Sequence, residues 1–401
     1  MTYITMSKKE LDRYQIISRL LRKEINTVKA SELLDLGLRQ IKRLKKAVKL
    51  LGPKALVHKS RGKQGNHRLP DSEHKQIIHL LKDKYADFGP TLASEKLREL
   101  HDIDRDAKTI RLIMIDEGLW KPKIKKQSEH RSWRQRRACF GEMQQFDGSY
   151  HNWFEDRAPK CCLLAAVDDA TGRITYARFA QNEGVIDVFT FWMGYLRHLG
   201  KPRSIYLDKF STYKMNSKFA QENHELKTQF ERALQDLHIE PITAHSPEAK
   251  GRIENIFGTL QDRLVKELRL AGISTIEEAN LFLEGKFLRE YNEKFSVLPV
   301  QPANLHQRLT AKEQTQLPAI FSRQYTRTVQ NDFTISFNNQ WYQLTDDQSV
   351  TVAKQDRITV EEHLDGTVKF RLRGKYLNYR IIPKRIPKKA QPWVLAAVAN
   401  P

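Results

Sequence analysis

The sequence is short of cysteine, of acidic side chains and of long apolar runs, and each shortage excludes something. Its three cysteines are Cys139 and the adjacent pair Cys161 and Cys162. They offer neither a disulfide framework nor the paired spacing of a zinc site, which fits a reducing cytosol. Without a long apolar run at the N-terminus or elsewhere, a signal peptide and a membrane span are both unsupported. We therefore expect a soluble, intracellular protein with no membrane partner. Asp and Glu number 48 against 69 Lys and Arg, a formal net charge of +21. That balance favours a polyanionic partner, nucleic acid before others. With 401 residues, 40% of them apolar, the chain exceeds one ordinary domain and can build several cores.

The first third reads as helical. Leu11, Ile17, Leu20 and Leu21 recur at helical spacing, and Ala30, Leu33, Leu34, Leu36, Leu38, Ile41 and Leu44 continue the pattern with Gly37 interrupting it. A short helix, a turn and a helix from about Leu38 is the layout of a helix-turn-helix. Its second helix carries Arg39, Gln40, Lys42, Arg43 and Lys46, the candidate DNA-binding residues of this region. The polar, basic stretch 59–70 predicts a linker. Apolar periodicity resumes between Asp71 and Trp120, with Asp106 and Thr109 as candidate caps of its last helix. A basic run, 121–137, predicts a connector that tracks DNA.

From Cys139 the pattern changes to alternating strands and helices. MQQFD, CCLLAAVDD, RITYARFA and SIYLD read as strands, DVFTFWMGYLRHLG and FERALQDLHI as helices, EPITAH as a further strand, and a long amphipathic helix starts near Lys250. From Phe321 to Pro383 the alternation is strand-like, with turns at Asn338-Asn339 and Asp365-Gly366, which predicts a small antiparallel β-barrel.

Three acids stand out for metal chemistry. Asp147 is read at the end of the first strand, Asp208 at the end of the fourth, and Glu254 in the first turns of the long helix. An acid closing an apolar strand is poorly placed for burial unless something compensates it. Phosphoryl transfer on DNA uses divalent cations to activate the attacking oxygen and stabilise the leaving one, and hard cations take carboxylates. Each acid alone also has an ordinary reading, as a turn, cap or surface residue. Asp168 and Asp169 end an apolar strand too, but the Thr171-Gly172 turn makes them structural. On the long helix, Ile253, Ile256, Phe257, Leu260, Leu264 and Leu268 form an apolar stripe with Glu254 at its edge. Arg252, Thr259, Arg263 and Lys266 share the opposite face, for which a phosphate grip and a solvated basic face are both open. Lys209 and Lys250 flank two of the acids and are open between phosphate contact and plain surface lysines.

The phrases QFDGSYHNWFEDRAPKCCLLAAVDDATGRI, YLDKFSTYK and HSPEAKGRIENIFGTLQDRLVKELRLAGISTIEEAN resemble the ISNCY group of bacterial insertion-sequence transposases, and ELLDLGLRQIKRLKKAVKLLG resembles that group's helix-turn-helix. The resemblance implies a multidomain chain: an all-α helix-turn-helix region, an α/β RNase H-like catalytic core, and the small C-terminal β-barrel. It implies a DDE triad of Asp147, Asp208 and Glu254 that holds Mg2+ or Mn2+. It further implies excision and integration of a mobile element through its terminal inverted repeats, in the bacterial cytoplasm at the nucleoid, by a homo-oligomer assembled on double-stranded DNA. Domain expectations are 1–58 for the helix-turn-helix, 59–70 for the linker, 71–137 for a second helical DNA-binding module with its connector, 138–300 for the core, 318–385 for the barrel and 386–401 for a flexible tail. Glu248, Asp262 and Glu267 compete with Glu254 as third acid. Two rival functions are a DNA-binding regulator with an inactive core and a nuclease of RNA–DNA hybrids. The first predicts a missing acid, and none is missing. Tandem basic helical modules argue against the second.

Overall fold

Ser7 opens the first helix, α1 (Lys8–Leu21), with a capping box: its side chain accepts the Glu10 N–H, and Glu10 accepts the Ser7 N–H at 2.7 Å. The computed structural model describes residues 4–59, 61, 69–122, 135–207, 228–243 and 251–383. The chain divides into two units, 1–123 and 124–401.

In the first unit, α2 (Thr27–Leu34) is capped by Asn26, and Asp35 turns the chain in the left-handed conformation. After Leu36, Gly37 serves as the N-cap of α3 (Leu38–Leu51) without a side-chain hydrogen bond. Gly is tolerated at that position at a cost of only about a few tenths of a kcal/mol. Ile17, Leu20, Ala30, Ile41, Val48 and Leu56 form the core of this three-helix body. A second core, built from Ile77, Leu81, Tyr85, Phe88, Leu97 and Ile110 among others, holds α4 (Asp71–Lys84), α5 (Pro90–His101) and α6 (Ala107–Asp116). Asp106 caps α6, and Asp102 closes α5 in the left-handed region, as Asp35 closes α2.

The second unit begins with β1 (Cys139–Phe140), then β2 (Met143–His151), β3 (Cys161–Asp168), β4 (Ile174–Ala180), α7 (Val185–Leu199), β5 (Ser204–Leu207), a helix over 228–236 that we call α8, and β6 (Glu240–Thr243). Five strands form one mixed sheet in the order β4-β3-β2-β5-β6. The first three run antiparallel, and β5 and β6 join β2 in parallel. Every residue of β3 is buried because the sheet is covered on both faces. Cys162, Leu164 and Ala166 meet Phe189, Trp192 and Leu196 of α7 with Phe230 and Leu234 of α8. Cys161, Leu163, Ala165 and Val167 meet the stripe of α9 (Gly251–Leu270). Against that helix pack α10 (Ile276–Phe282) and α11 (Leu288–Phe295), joined by a π turn over Leu283–Phe287.

The core expected to end near 300 continues beyond it. Strand β7 (Gln301–Asn304) pairs with β1, and Leu317 and Ile320 of α12 (Ala311–Ile320) enter the α7 core. Past α12, where a small barrel was expected, no closed barrel is found among the described residues. Among the described residues two open sheets enclose one core. One contains β8 (Arg323–Thr328), β11 (Arg357–Glu362), β12 (Val368–Leu372) and β13 (Lys375–Tyr376); the other contains β9 (Thr334–Phe337), β10 (Gln340–Leu344) and β14 (Tyr379–Ile382). Period-two alternation marks one inward face in either architecture and says nothing of closure.

Candidate active site

Asp147 lies within β2, not at its end: the strand runs on to His151, paired with β3 as far as Cys161. On the other side of β2, parallel pairing to β5 is described from Met143↔Ser204 to Gln145↔Tyr206. Asp147 thus stands, half-buried, just beyond the last described pair on that edge.

Strand alternation puts Gln145, Asp147 and Ser149 on one face, and this face meets α9. The Ile253 N–H donates to Gln145 Oε1 at 3.3 Å, and Gln261 Nε2 donates to Ser149 Oγ at 3.1 Å. Asp147 lies between these two anchor points. The four steps along the strand from Gln145 to Ser149 span about 13 Å, and the eight steps along the helix from Ile253 to Gln261 about 12 Å. Strand and helix therefore run side by side through the site. Glu254 and Gln261 are seven residues apart, two helical turns, so both sit on the side of α9 that faces β2. Glu254 is exposed and lies in the first helical turn, where the helix dipole favours a carboxylate.

The remaining sequence candidates separate clearly. Arg39, Gln40, Lys42, Arg43 and Lys46 are all exposed on α3, while Ile41 and Val48 on its other side are buried. Lys209 and Lys250, like Asp208, lie outside the described residues. Arg263 and Lys266 do not form the expected exposed basic face, for both are buried. The Arg263 guanidinium lies 5.0 Å over the Phe295 ring, and Lys266 bonds Asp262. The reason is tertiary: α10 and α11 cover a side of α9 that its own periodicity marks as polar. Arg252 pairs with Asp169.

Asp168 and Asp169 are structural, and fully buried. Asp168 accepts from Gly141 N, Thr171 N and Gln144 Nε2 at 2.8, 2.9 and 3.1 Å; burial nonetheless holds its carboxyl above the usual range. Asp169 accepts from Arg137 N at 2.8 Å and Gln145 Nε2 at 2.7 Å. Sequence reasoning passed over Gln145, Ser149 and Gln261. The available signal was Gln144-Gln145, two amides inside an otherwise apolar strand, which must find buried partners. The three cysteines are free and buried, and burial pushes the Cys161 thiol up to about 11, far from a reactive thiolate. Carboxylate oxygens, the kind of donor that Asp147 and Glu254 carry, suit a hard cation. Among the described residues no three His, Cys, Asp or Glu side chains converge on one point.

No family model matches the sequence. The chain is 26% identical over 446 residues to "Transposase for insertion sequence IS1202" of Streptococcus pneumoniae, covering 97% of this chain and 94% of that one. A solved simian T-cell lymphotropic virus intasome, in complex with PP2A regulatory subunit B56 gamma, overlaps 77% of this chain and 100% of its own at 14% identity and a TM-score of 0.31, too slight a likeness to define the fold. "Putative transposase y4bF" of Sinorhizobium fredii (strain NBRC 101917 / NGR234) is 35% identical over 384 residues, 96% of this chain and 83% of that one. Identity of that size along nearly the whole length means that this chain belongs to the transposase family.

Proposed function

We propose that this transposase is a DDE enzyme of the ISNCY group that binds the terminal inverted repeats of an insertion sequence, cuts the DNA and joins the freed ends to target DNA, with Asp147, Asp208 and Glu254 as its acids. The observation that carries the reading is the pair of anchors that bring α9 alongside Asp147 with Glu254 on the facing side. A mixed sheet with three antiparallel strands followed by two parallel ones, covered by helices on both faces, supports an RNase H-like core.

The carboxylates would hold Mg2+ or Mn2+, and the bound ions would supply charge stabilisation for the attacking and leaving oxygens. The chain's own part is to orient. Strand β2 fixes Asp147, α9 fixes Glu254, and the exposed cations of α3 hold the duplex, with Arg39, Gln40 and Arg43 reading base edges. In cutting, water attacks phosphorus and displaces the 3′ oxygen of one strand, which leaves as a free 3′ hydroxyl beside a 5′ phosphate; in joining, that hydroxyl attacks a target phosphorus and displaces a target 3′ oxygen, so joining conserves the number of phosphodiesters. We place the enzyme in the bacterial cytoplasm, acting at the nucleoid as a homo-oligomer on DNA.

The test compares Glu254→Gln with Glu248→Gln on intact and pre-nicked ends, measuring hydrolysis and strand transfer separately. Glu254→Gln should bind ends normally and lose cleavage by orders of magnitude. Near wild-type cutting by Glu254→Gln with a dead Glu248→Gln would show the triad misassigned, and efficient cutting in EDTA would remove the metal from the reading.

A further inference from the structure

The first four N–H groups of a helix have no partner inside it, so whatever accepts them sets where the helix begins. In the described part of α9, which runs from Gly251, the Ile253 N–H goes to the side-chain oxygen of Gln145 at 3.3 Å. The same amide turns its nitrogen to Asp169 Oδ1 at 2.7 Å, and Arg252, the residue before Ile253, donates through Nη1 to that same oxygen. Asp169, Gln145, Ile253 and Arg252 thereby close a ring. Arg137 N–H holds the second carboxylate oxygen at 2.8 Å. Gln145 and Asp169 are fully buried, while Arg252 is 22% exposed along its side chain.

A buried ion pair is an expensive way to fill space, and apolar side chains of similar volume usually do it better. Its return is position. Gln145 is two residues before Asp147 on the same strand face, and Ile253 immediately precedes Glu254. The ring therefore joins the neighbours of two acids by one side chain, across the junction of strand and helix. We propose that Gln145, Asp169 and Arg252 are positioning residues that set the separation of Glu254 from Asp147, and that Arg252 is held for this task instead of gripping DNA phosphate. The proposal rests on the reading of Glu254 as the third acid.

Full-length Arg252→Met, Arg252→Lys, Gln145→Met and Glu254→Gln test it, each checked for folding by circular dichroism. Three quantities are measured: Mn2+ affinity by calorimetry in the absence of DNA, binding to a duplex spanning the junction of element and flanking sequence, and cleavage of that duplex. Partners that orient metal-binding side chains are worth about 10–100-fold in metal affinity or activity. Arg252→Met should lose that much in both Mn2+ affinity and cleavage rate with duplex binding unchanged, and Arg252→Lys should recover part of it. Gln145→Met, which keeps every charge, should reproduce the loss if Arg252→Met folds poorly. Wild-type Mn2+ affinity and cleavage in folded Arg252→Met or Gln145→Met overturns the proposal, as does a loss confined to duplex binding, which would make Arg252 a phosphate contact. Full activity in Glu254→Gln would instead overturn the triad itself.

Discussion

Replacing Gly200 by Ala should destabilise the second unit by about 4 kcal/mol. Gly200 ends α7 at φ 89° and ψ −171°, a region open almost only to glycine, in which a side chain costs about 1–3 kcal/mol. The added methyl would stand 3.0 Å from the carbonyl carbon of Gln307, with that carbonyl's oxygen closer still. This oxygen accepts the Lys201 N–H at 2.7 Å, and Gln307 N–H returns the bond to Lys201 O at 2.9 Å. Relief of the clash breaks both, at about 0.5–1.5 kcal/mol each. The obstacle is backbone, so no side-chain rotation evades it. Gly258 supplies the contrast: it is an exposed residue inside α9 with nothing within 4 Å of an added Cβ. Ala there should stabilise by about 0.5–1 kcal/mol through helix propensity. Urea unfolding combined with amide exchange of β5 reads both effects. Because β5 begins four residues after Gly200, Gly200→Ala should also exchange faster at Ile205 and Tyr206. A Gly200→Ala variant with the wild-type midpoint and unchanged β5 exchange would refute the reasoning.

Residues 1–123 alone should protect terminal-repeat DNA in footprinting, with affinity falling steeply as salt rises because the exposed cations of α3 release counterions; protection equal to that of random duplex would refute this. Replacing Arg39, Gln40 and Arg43 together should remove sequence preference more than total binding, measured by competition between specific and random DNA. The Lys201 ammonium, 2.5 Å away, leads the groups that hold Glu313 down to about 2. Its folded value lies below the unfolded one, so its stabilisation is complete above about pH 4.5 and drains as pH falls toward 2. Glu313→Gln should flatten that part of the acid-unfolding curve. Burial holds the His306 imidazole down to about 4, so the unfolded chain binds more protons between pH 6.5 and 4 and stability falls with pH across that window. His306→Gln should remove that slope.

The parts of this fold that one strand or helix determines by itself could be read from the sequence. CCLLAAVD is apolar without alternation, as a strand buried on both faces must be, and β3 is that strand. Asn338 and Asn339 take positive φ at the two-residue turn between β9 and β10, where Asn was expected to turn the chain. What depended on a second element could not be read. Strand β2 passes through Asp147 because β3 goes on pairing with it, and hydrogen bonds from a partner have no signature in Gly148-Ser149-Tyr150. Arg263 and Lys266 have the spacing of a solvated face, yet Phe295 and its helix come from thirty residues further on to cover them.

The adjacent pairs Gln144-Gln145 and Asp168-Asp169 show most sharply why the site was only partly legible. Gln144 lies directly across from Asp168 in the sheet and bonds it, while Gln145 bonds Asp169. Period-two alternation sends neighbouring strand side chains to opposite faces, so two look-alike amide–carboxylate pairs acquire different surroundings. Asp168 gathers Gly141 and Thr171 and closes the turn after β3. Asp169 gathers Arg137 and Arg252 and tethers the start of α9. The Thr171-Gly172 turn makes both acids structural in the sequence, which is right in chemistry and incomplete in consequence. A turn can be recognised within five residues, whereas the tether joins positions 83 apart. The buried acid thus reaches the helix that carries Glu254, and only the folded arrangement connects them.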